Sequence, residues 1–465
     1  MIRTKNSKRS FPFSKLPHDI IENIIKFSIK NTSSTLKGSK LIFVNRLFAK
    51  ISIPHIWKHL YLREPAQRII FSTLSTPSEE LMFDYKFLVQ SITICPISIS
   101  YMRSGGLLKT LEIVQSLFTS PLVSISIEDK LSFCHACHVG KEVTWNQVAS
   151  SLLVWKGLKE LTLDSNHSAF NDELLGVVLP NFAPFVDRQR RIHGGLQKIS
   201  LSGTNFTDQG ILRYVIPYAK DTLVEFSAGY KGVNPTNNIT GLSVIELLKN
   251  CKKLQRIYLE GVDLNDSDFI QQPTKTNDDD LSAYCDELLG DNLSDFDYDD
   301  DIAYNSSSSS SPNNSIILSH PSPTDSMSMQ QLPSVQIEYL YLGKTNPSKF
   351  THLGLLSLLS LCHKSLQTLV IDIDHISQSV LLDVIIPLFS CAKLQEIHLI
   401  SESWSEWALH YPRPRYEFEI KAKEAMWRWK LKAYWELSKE LINQVGDKIE
   451  SLRVFSILGE NYLRK

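Results

Sequence analysis

The stretch LKELTL at residues 158–163 carries the pattern that most of this chain repeats. Successive side chains of an extended strand point to opposite faces, so Leu161 and Leu163 share one face while Glu160 and Thr162 share the other. The same L-x-x-L-x-L signature returns as LQKISL at 196–201, LQRIYL at 254–259, LQTLVI at 366–371 and LQEIHL at 394–399. The pattern predicts a series of short strands, each buried on its leucine face.

Weaker copies extend the series to ten, with starts at residues 89, 122, 158, 196, 223, 254, 337, 366, 394 and 452. Most starts are 27 to 38 residues apart, and the last gap of 58 leaves room for one degenerate repeat. Amphipathic stripes at helical spacing lie between strands, at 174–178, 211–216, 244–248, 355–359 and 381–386. A strand and a helix in each repeat predict an α/β solenoid with a curved parallel sheet, in which neighbouring repeats bury one another.

Cysteines stand just before three of these strands, at Cys251, Cys362 and Cys391, and Asn205-Phe206-Thr207-Asp208-Gln209-Gly210 follows another strand and opens a helix. This arrangement resembles the cysteine-containing leucine-rich repeats that often accompany an F-box. A small apolar thiol suits a crowded corner between helix and strand. We therefore expect these cysteines to be core residues rather than nucleophiles.

Ahead of the repeats, residues 13–57 carry two further apolar stripes at helical spacing. The first holds Leu16, Ile20, Ile24 and Phe27, and the second holds Leu41, Val44, Phe48 and Ile51. Pro54 stops the second helix, and Trp57 follows three residues later. Two short helices in about 45 residues cannot bury so much aliphatic surface alone, so they form either a cap on a larger core or a docking element.

The order of these residues resembles an F-box, in the blocks Leu16-Pro17-x-Asp19-Ile20-Ile21-x-x-Ile24, Phe43-Val44-Asn45-Arg46-x-Phe48 and Pro54-x-x-Trp57. The resemblance implies docking onto a Skp-type adaptor and, through it, onto the cullin scaffold of a ubiquitin ligase. The adaptor-binding residues that it implies are Leu16, Pro17, Ile20, Ile21, Ile24, Ile25, Leu41, Val44, Phe48 and Trp57. A plain helical cap is the alternative interpretation.

The resemblance, the repeats and the composition together divide the chain into an F-box-like helical domain at 11–62, repeats at 63–272, an insertion at 273–333 and further repeats at 334–465, which include an aromatic-rich C-terminal helix. Residues 278–301 hold eleven Asp or Glu and no Lys or Arg, and residues 306–311 are all serine. Such a segment buries too little apolar surface to offset its ordering entropy, so we predict a disordered insertion that loops out of one repeat. Five of eight tryptophans fall between Trp404 and Trp435, beside a predicted helix at 420–445 that either caps the solenoid or faces a ligand.

Composition also excludes several function classes. Apolar residues make up 43% of the chain, no run of 18 apolar residues occurs, and no apolar region follows the basic N-terminus, so we expect neither a membrane span nor a secretory signal. Seven cysteines, an odd number, favour a reducing compartment and hence the cytoplasm or the nucleus. Residues 1–63 hold 13 Lys or Arg against two acidic residues, yet they lack interleaved surface aromatics, so we do not expect nucleic-acid binding.

One segment bears on cofactors, because Cys134-His135-Ala136-Cys137-His138 matches a haem attachment pattern and resembles half of a zinc site. A closed zinc site needs four ligands, and no second C-x-x-C pair exists, so we expect neither metal nor cofactor. No Gly-rich phosphate loop, G-x-S-x-G or H-E-x-x-H motif occurs either. We therefore do not expect an enzyme.

The sequence thus predicts a substrate receptor, with a leucine-rich-repeat scaffold unrelated to ubiquitination as the alternative. Residues between the strand leucines point outward, and the substrate-binding residues predicted among them are Arg256, Tyr258, Tyr339, Tyr341 and His398. The three tyrosines should lie side by side if the insertion loops out, which is typical of a binding hot spot. The alternatives are that tyrosine merely favours strands, or that the aromatic stretch 404–435 binds the substrate.

Overall fold

The structure is a computed structural model that describes residues 17–30, 46–63, 66–77, 79, 83–95, 106–118, 122–128, 143–203, 205–229, 238–270, 335–344, 349–372, 388, 391–400, 449–457 and 460–463. Its main feature is a sheet of twelve strands, in which all neighbours are parallel except the last pair. The strands are β1 His59–Arg63, β2 Ser91–Cys95, β3 Ser124–Glu128, β4 Glu160–Asp164, β7 Lys198–Ser202, β8 Glu225–Gly229, β9 Arg256–Glu260, β10 Tyr339–Gly343, β11 Thr368–Asp372, β12 Glu396–Ile400, β13 Val454–Ile457 and β14 Glu460–Leu463. The two-residue strands β5 Phe185–Val186 and β6 Ile192–His193 form a separate hairpin.

Helices connect the strands. Their bounds are His18–Lys30, Arg46–Trp57, Ala66–Ser75, Tyr85–Leu88, Gly106–Leu117, Trp145–Leu152, Asp172–Asn181, Gly241–Asn250, Asp266–Ile270 and His352–Cys362. One further helix has three consecutive segments: Asp208–Gly210, the π-helical turn Ile211–Val215 and Ile216–Ala219. The first eleven strands of the sheet follow one another in chain order, so the chain advances by one strand in each repeat. This is the long parallel sheet of a leucine-rich-repeat-like α/β solenoid.

The strand leucines form the core, as the period of two predicts. In β4, Leu161 and Leu163 are fully buried, whereas Glu160 and Thr162 are only partly covered. The same alternation holds in β7, β9 and β12. One continuous cluster of buried side chains runs from Leu60 to Phe455, so each repeat is closed by its neighbours.

A ladder of carboxylates ties the starts of successive helices together. The backbone N–H and the hydroxyl of Thr240 donate to the Asp208 carboxylate, at 2.8 and 2.7 Å. Thr207 donates in the same way to Asp172, and Thr351 to Asp266. Each threonine caps its own helix, so each aspartate holds the first turn of the following one.

The ladder also crosses the predicted insertion. Strands β9 and β10, which flank the insertion in the chain, pair directly with each other and place Tyr341 beside Tyr258. Asp266, on the near side, then accepts hydrogen bonds from Thr351, on the far side. The two flanking repeats are therefore neighbours, as the sequence predicts, and the insertion at 273–333 itself lies outside the described residues.

Three features differ from the sequence-based expectation. The second helix does not stop at Pro54 but continues through it to Trp57, and the Pro54 carbonyl oxygen accepts a hydrogen bond from Lys58 N. The sheet begins at His59, four residues before the predicted domain boundary at 63, because HLYLR forms β1 and pairs with β2. β12 and β13 pair directly with each other, so in the described part of the sheet no strand of a degenerate repeat lies between them. The extra length of that repeat, including the predicted helix at 420–445, lies outside the described residues, as do most of the predicted helix at 381–386 and the Cys134–His138 segment.

Candidate functional site

The open face of the sheet carries an aromatic cluster, formed by Tyr258, Tyr339 and Tyr341. Register places Tyr341 beside Tyr258, and Tyr339 beside Arg256. The ring of Tyr258 lies 4.9 Å from that of Tyr339 and 6.2 Å from that of Tyr341, measured between centroids. These separations fall in the range of favourable aromatic pairs, so the three rings form one preformed surface.

Partial burial changes the acidity of two of these phenols. Desolvation raises the pKa of Tyr258, and the nearby Glu225 carboxylate raises it further. Desolvation also raises the pKa of Tyr339, with Tyr258 as the next cause. Both side chains therefore stay neutral at physiological pH and present hydroxyl groups together with ring surface.

Polar pairs border the tyrosines. Lys198 Nζ lies 2.6 Å from Glu225 Oε1, and Arg256 Nη1 lies 3.7 Å from Glu225 Oε2. On the other side, His398 Nε2 lies 3.4 Å from Glu396 Oε2. Partly exposed pairs of this kind add little stability, but they surround the aromatic centre with a polar rim, which is the usual composition of a protein interface.

Small side chains lie next to the aromatic cluster on β8. Ser227 pairs with Tyr258, and Gly229 pairs with Glu260. A Cβ atom at Gly229 would come within 2.3 Å of the Glu260 carbonyl oxygen, so the close approach of these strands requires glycine there. The three tyrosines therefore lie beside small residues of the adjoining strand β8.

All five predicted substrate-binding residues lie on the open side of the sheet, within the four consecutive strands β9 to β12. Arg256 and Tyr258 are on β9, Tyr339 and Tyr341 are on β10, and His398 is on β12. Val370 of β11 separates Tyr341 from His398 in the same row. The prediction omitted Val370 and Glu225, which the repeat alignment could have identified, because both occupy outward positions of the L-x-x-L-x-L pattern.

Five of the ten predicted adaptor-binding residues form two groups on the N-terminal helix pair, one buried and one exposed. Ile21, Ile25 and Phe48 pack with Ile51 in a small buried cluster that holds the two helices together. In the isolated chain these three residues are therefore packing residues, and they do not lie on the surface that an adaptor would meet first. Ile20 and Ile24, one turn apart, remain 42% and 41% exposed.

The remaining predicted adaptor residues are distributed differently. Pro17 is exposed, and its carbonyl oxygen accepts a hydrogen bond from Ile21 N at 3.2 Å. Trp57 packs on Tyr85, with 4.4 Å between ring centroids, and contacts the repeat core. Leu16, Leu41 and Val44 lie outside the described residues. Binding by any of these residues stays a prediction.

Comparison with known proteins found similarity among solved structures only. No family model matches the sequence, and no curated protein matches it. Among solved structures, the chain is similar to the leucine-rich repeat-containing protein LegL7 from Legionella pneumophila, with 11% sequence identity and a TM-score of 0.35. That similarity covers 76% of this chain and 88% of the LegL7 chain. The fold assignment rests on the strand register and burial described above.

The described residues contain neither a membrane-spanning helix nor a metal cluster. No helix among them is long and apolar enough to cross a membrane. Within the same residues, no group of three or more His, Cys, Asp or Glu side chains is arranged to hold a metal ion.

Proposed function

We propose that this chain is a protein-binding scaffold that serves as the substrate receptor of a cullin-type ubiquitin ligase. In this proposal the N-terminal helices bind a Skp-type adaptor, and the open face of the sheet binds the protein to be modified. The chain acts by binding and contributes no catalytic group. The observation that carries the proposal is the cluster of three adjoining tyrosines on the open sheet face.

The tyrosine cluster supports a protein partner because of its composition. Aromatic residues and arginine dominate the energetically important positions of protein interfaces. Here Tyr258, Tyr339 and Tyr341 adjoin Arg256, which is itself exposed. The surrounding polar pairs, Lys198–Glu225 and His398–Glu396, provide the polar rim that such an interface needs.

The helix pair supports the adaptor-binding part of the proposal. Ile21 and Ile25 satisfy the inward packing of the first helix, yet Ile20 and Ile24 add a second apolar pair on its outer side. Two exposed isoleucines one turn apart suit a groove on another protein. Their positions match the aliphatic positions of the F-box resemblance, and this partner would place the chain in the cytoplasm or the nucleus.

Co-elution with an adaptor separates this proposal from its alternative. A purified chain mixed with a purified Skp-type adaptor should leave a size-exclusion column as one complex, and adding a cullin should shift that complex again. A leucine-rich-repeat scaffold unrelated to ubiquitination would elute separately from the adaptor. Separate elution at micromolar concentrations would overturn the receptor proposal and leave the scaffold.

A further inference from the structure

A basic edge borders the sheet where the parallel strands begin. In repeat after repeat a tight turn ends the helix, and its two central residues project from this edge. Such turns are closed by hydrogen bonds from Leu158 N to Trp155 O, from Leu254 N to Cys251 O and from Leu394 N to Cys391 O. We define the basic edge by six exposed lysines of these turns: Lys156, Lys220, Lys252, Lys253, Lys364 and Lys393.

Among the described residues, lysines outnumber carboxylates along this edge. The carboxylates at equivalent turn positions in the described residues are Asp221 and Glu450. None of the six lysines forms an ion pair with a carboxylate of the described residues. Six strand spacings separate the repeat of Lys156 from that of Lys393, which is about 29 Å at the usual 4.8 Å per strand.

The hairpin of β5 and β6 adds arginine and apolar surface to the same edge. It precedes β7, between the turns of Lys156 and Lys220. Its loop carries the exposed Arg188, Arg190 and Arg191, and Phe185 is 64% exposed. The fitting ligand is therefore a polypeptide that combines carboxylates with apolar side chains, rather than a purely ionic one.

We propose that the acidic segment of this same chain, residues 278–301, binds along the basic edge. Its eleven acidic residues are interspersed with Leu288, Leu289 and Phe296, so it matches both the charge and the apolar surface. This binding is independent of the function proposed for the open sheet face. It assigns the insertion an internal binding site.

The described ends of the insertion support this occupant over a separate protein. Val335 stands four positions before β10, as Lys252 does before β9 and Lys364 before β11. The register of these strands places Val335 between the two lysines, on the basic edge itself. On the other side, seven residues link Ile270 to Asp278, and the eight Cα–Cα steps between these two residues span up to about 26 Å. A ligand tethered this closely has an effective concentration in the millimolar range.

Carbodiimide coupling tests the proposal on the full-length chain, because it joins lysine amines to carboxylates in direct contact. At about 0.02 M salt we expect cross-links between residues 278–301 and the basic edge, and about 0.5 M salt should reduce their yield on the order of tenfold. Mixing isotope-labelled and unlabelled chains separates binding within one chain from binding to a second copy. Isotopically mixed cross-links, or none to the basic edge, would overturn the proposal.

A charge-reversed variant sharpens this test. Lys252→Glu, Lys253→Glu and Lys364→Glu together should reduce coupling at the remaining Lys156, Lys220 and Lys393 on the order of tenfold. The matched control reverses three exposed cations elsewhere, through Lys50→Glu, Lys109→Glu and Arg213→Glu, and should leave coupling unchanged. Equal loss in both variants would show that net charge alone drives the contact and would contradict a specific edge.

Discussion

The tyrosines of β9 and β10 show how single residues acquire a role from register. Tyr258 and Tyr341 are 83 positions apart in the chain, yet they are paired residues of neighbouring strands. Neither ring is deeply buried, so their packing contributes less to the core than to the surface that they form. Their removal should therefore affect binding more than folding.

Replacing Tyr258, Tyr339 and Tyr341 with Ala should weaken capture of protein partners at least about a hundredfold, because it removes the aromatic centre of the proposed interface. Affinity capture followed by mass spectrometry measures the loss, while adaptor binding should persist. Tyr61→Ala is the matched control, since Tyr61 holds the same third position on β1. Unchanged partners in the triple variant would move recognition to another surface.

The helix-to-strand cysteines should resist alkylation in the native chain. Burial raises the pKa of Cys251 to about 12, and burial also raises the pKa of Cys362 above its ordinary value. Because the thiolate is the reactive form, iodoacetamide at neutral pH should label both thiols much more slowly in the native protein than in the denatured protein. Equally fast labelling in the two states would contradict their assignment to the core.

At the scale of elements, the carboxylate ladder holds the flanks of the insertion together. Asp266 accepts hydrogen bonds from the backbone N–H of Thr351 and of Gly354, at 2.8 and 3.0 Å, and from the Thr351 hydroxyl at 2.6 Å. It therefore fixes the helix of the repeat after the insertion to the repeat before it. The sequence indicated that a helix opens at Thr207-Asp208. It did not indicate the ladder, because each aspartate and the threonine that it binds lie in different repeats.

Asp266→Ala should lower the free energy of unfolding by about 2 kcal/mol, because it leaves the partly buried donors of Thr351 and Gly354 unsatisfied. Thermal or denaturant unfolding measures the change. Asp263→Ala is the control: Asp263 pairs with the exposed Lys349 at 2.9 Å, and its loss should cost less than about 1 kcal/mol. Equal effects of the two substitutions would contradict a structural role for the ladder.

At the scale of the whole molecule, the ten strands predicted from leucine spacing all occur, and they pair in chain order. The pattern was readable because each strand repeats the same buried positions. β1 was missed because HLYLR follows directly on a helix, and β14 because its antiparallel pairing lies outside the repeat. The sequence did not show that Ile21 and Ile25 would be buried while Ile20 and Ile24 stay exposed, because all four belong to one broad apolar stripe.

Deleting residues 276–330 should leave the melting temperature within a few degrees, because surface insertions cost little loop-closure entropy. Asn265 and Tyr339 are 74 positions apart in the chain, and the deletion reduces this separation by 55 to 19. In ordinary repeats the separation from the residue before the helix to the first residue of the next strand is 16 positions, from Thr240 to Arg256, or 17 positions, from Thr351 to Thr368. The shortened chain therefore still reaches β10. Loss of the folded state, followed by circular dichroism, would show that the insertion is structurally required.

The most direct test of the proposed receptor is the affinity of the chain for a purified Skp-type adaptor, measured by isothermal titration calorimetry. Ile20→Asp with Ile24→Asp should weaken binding roughly a thousandfold, at about 2 kcal/mol for each exposed isoleucine. The control variant, Ile69→Asp with Leu242→Asp, alters two other exposed apolar residues and should bind as the unaltered chain does. Equal affinity of the Ile20 and Ile24 variant and the unaltered chain would contradict the account.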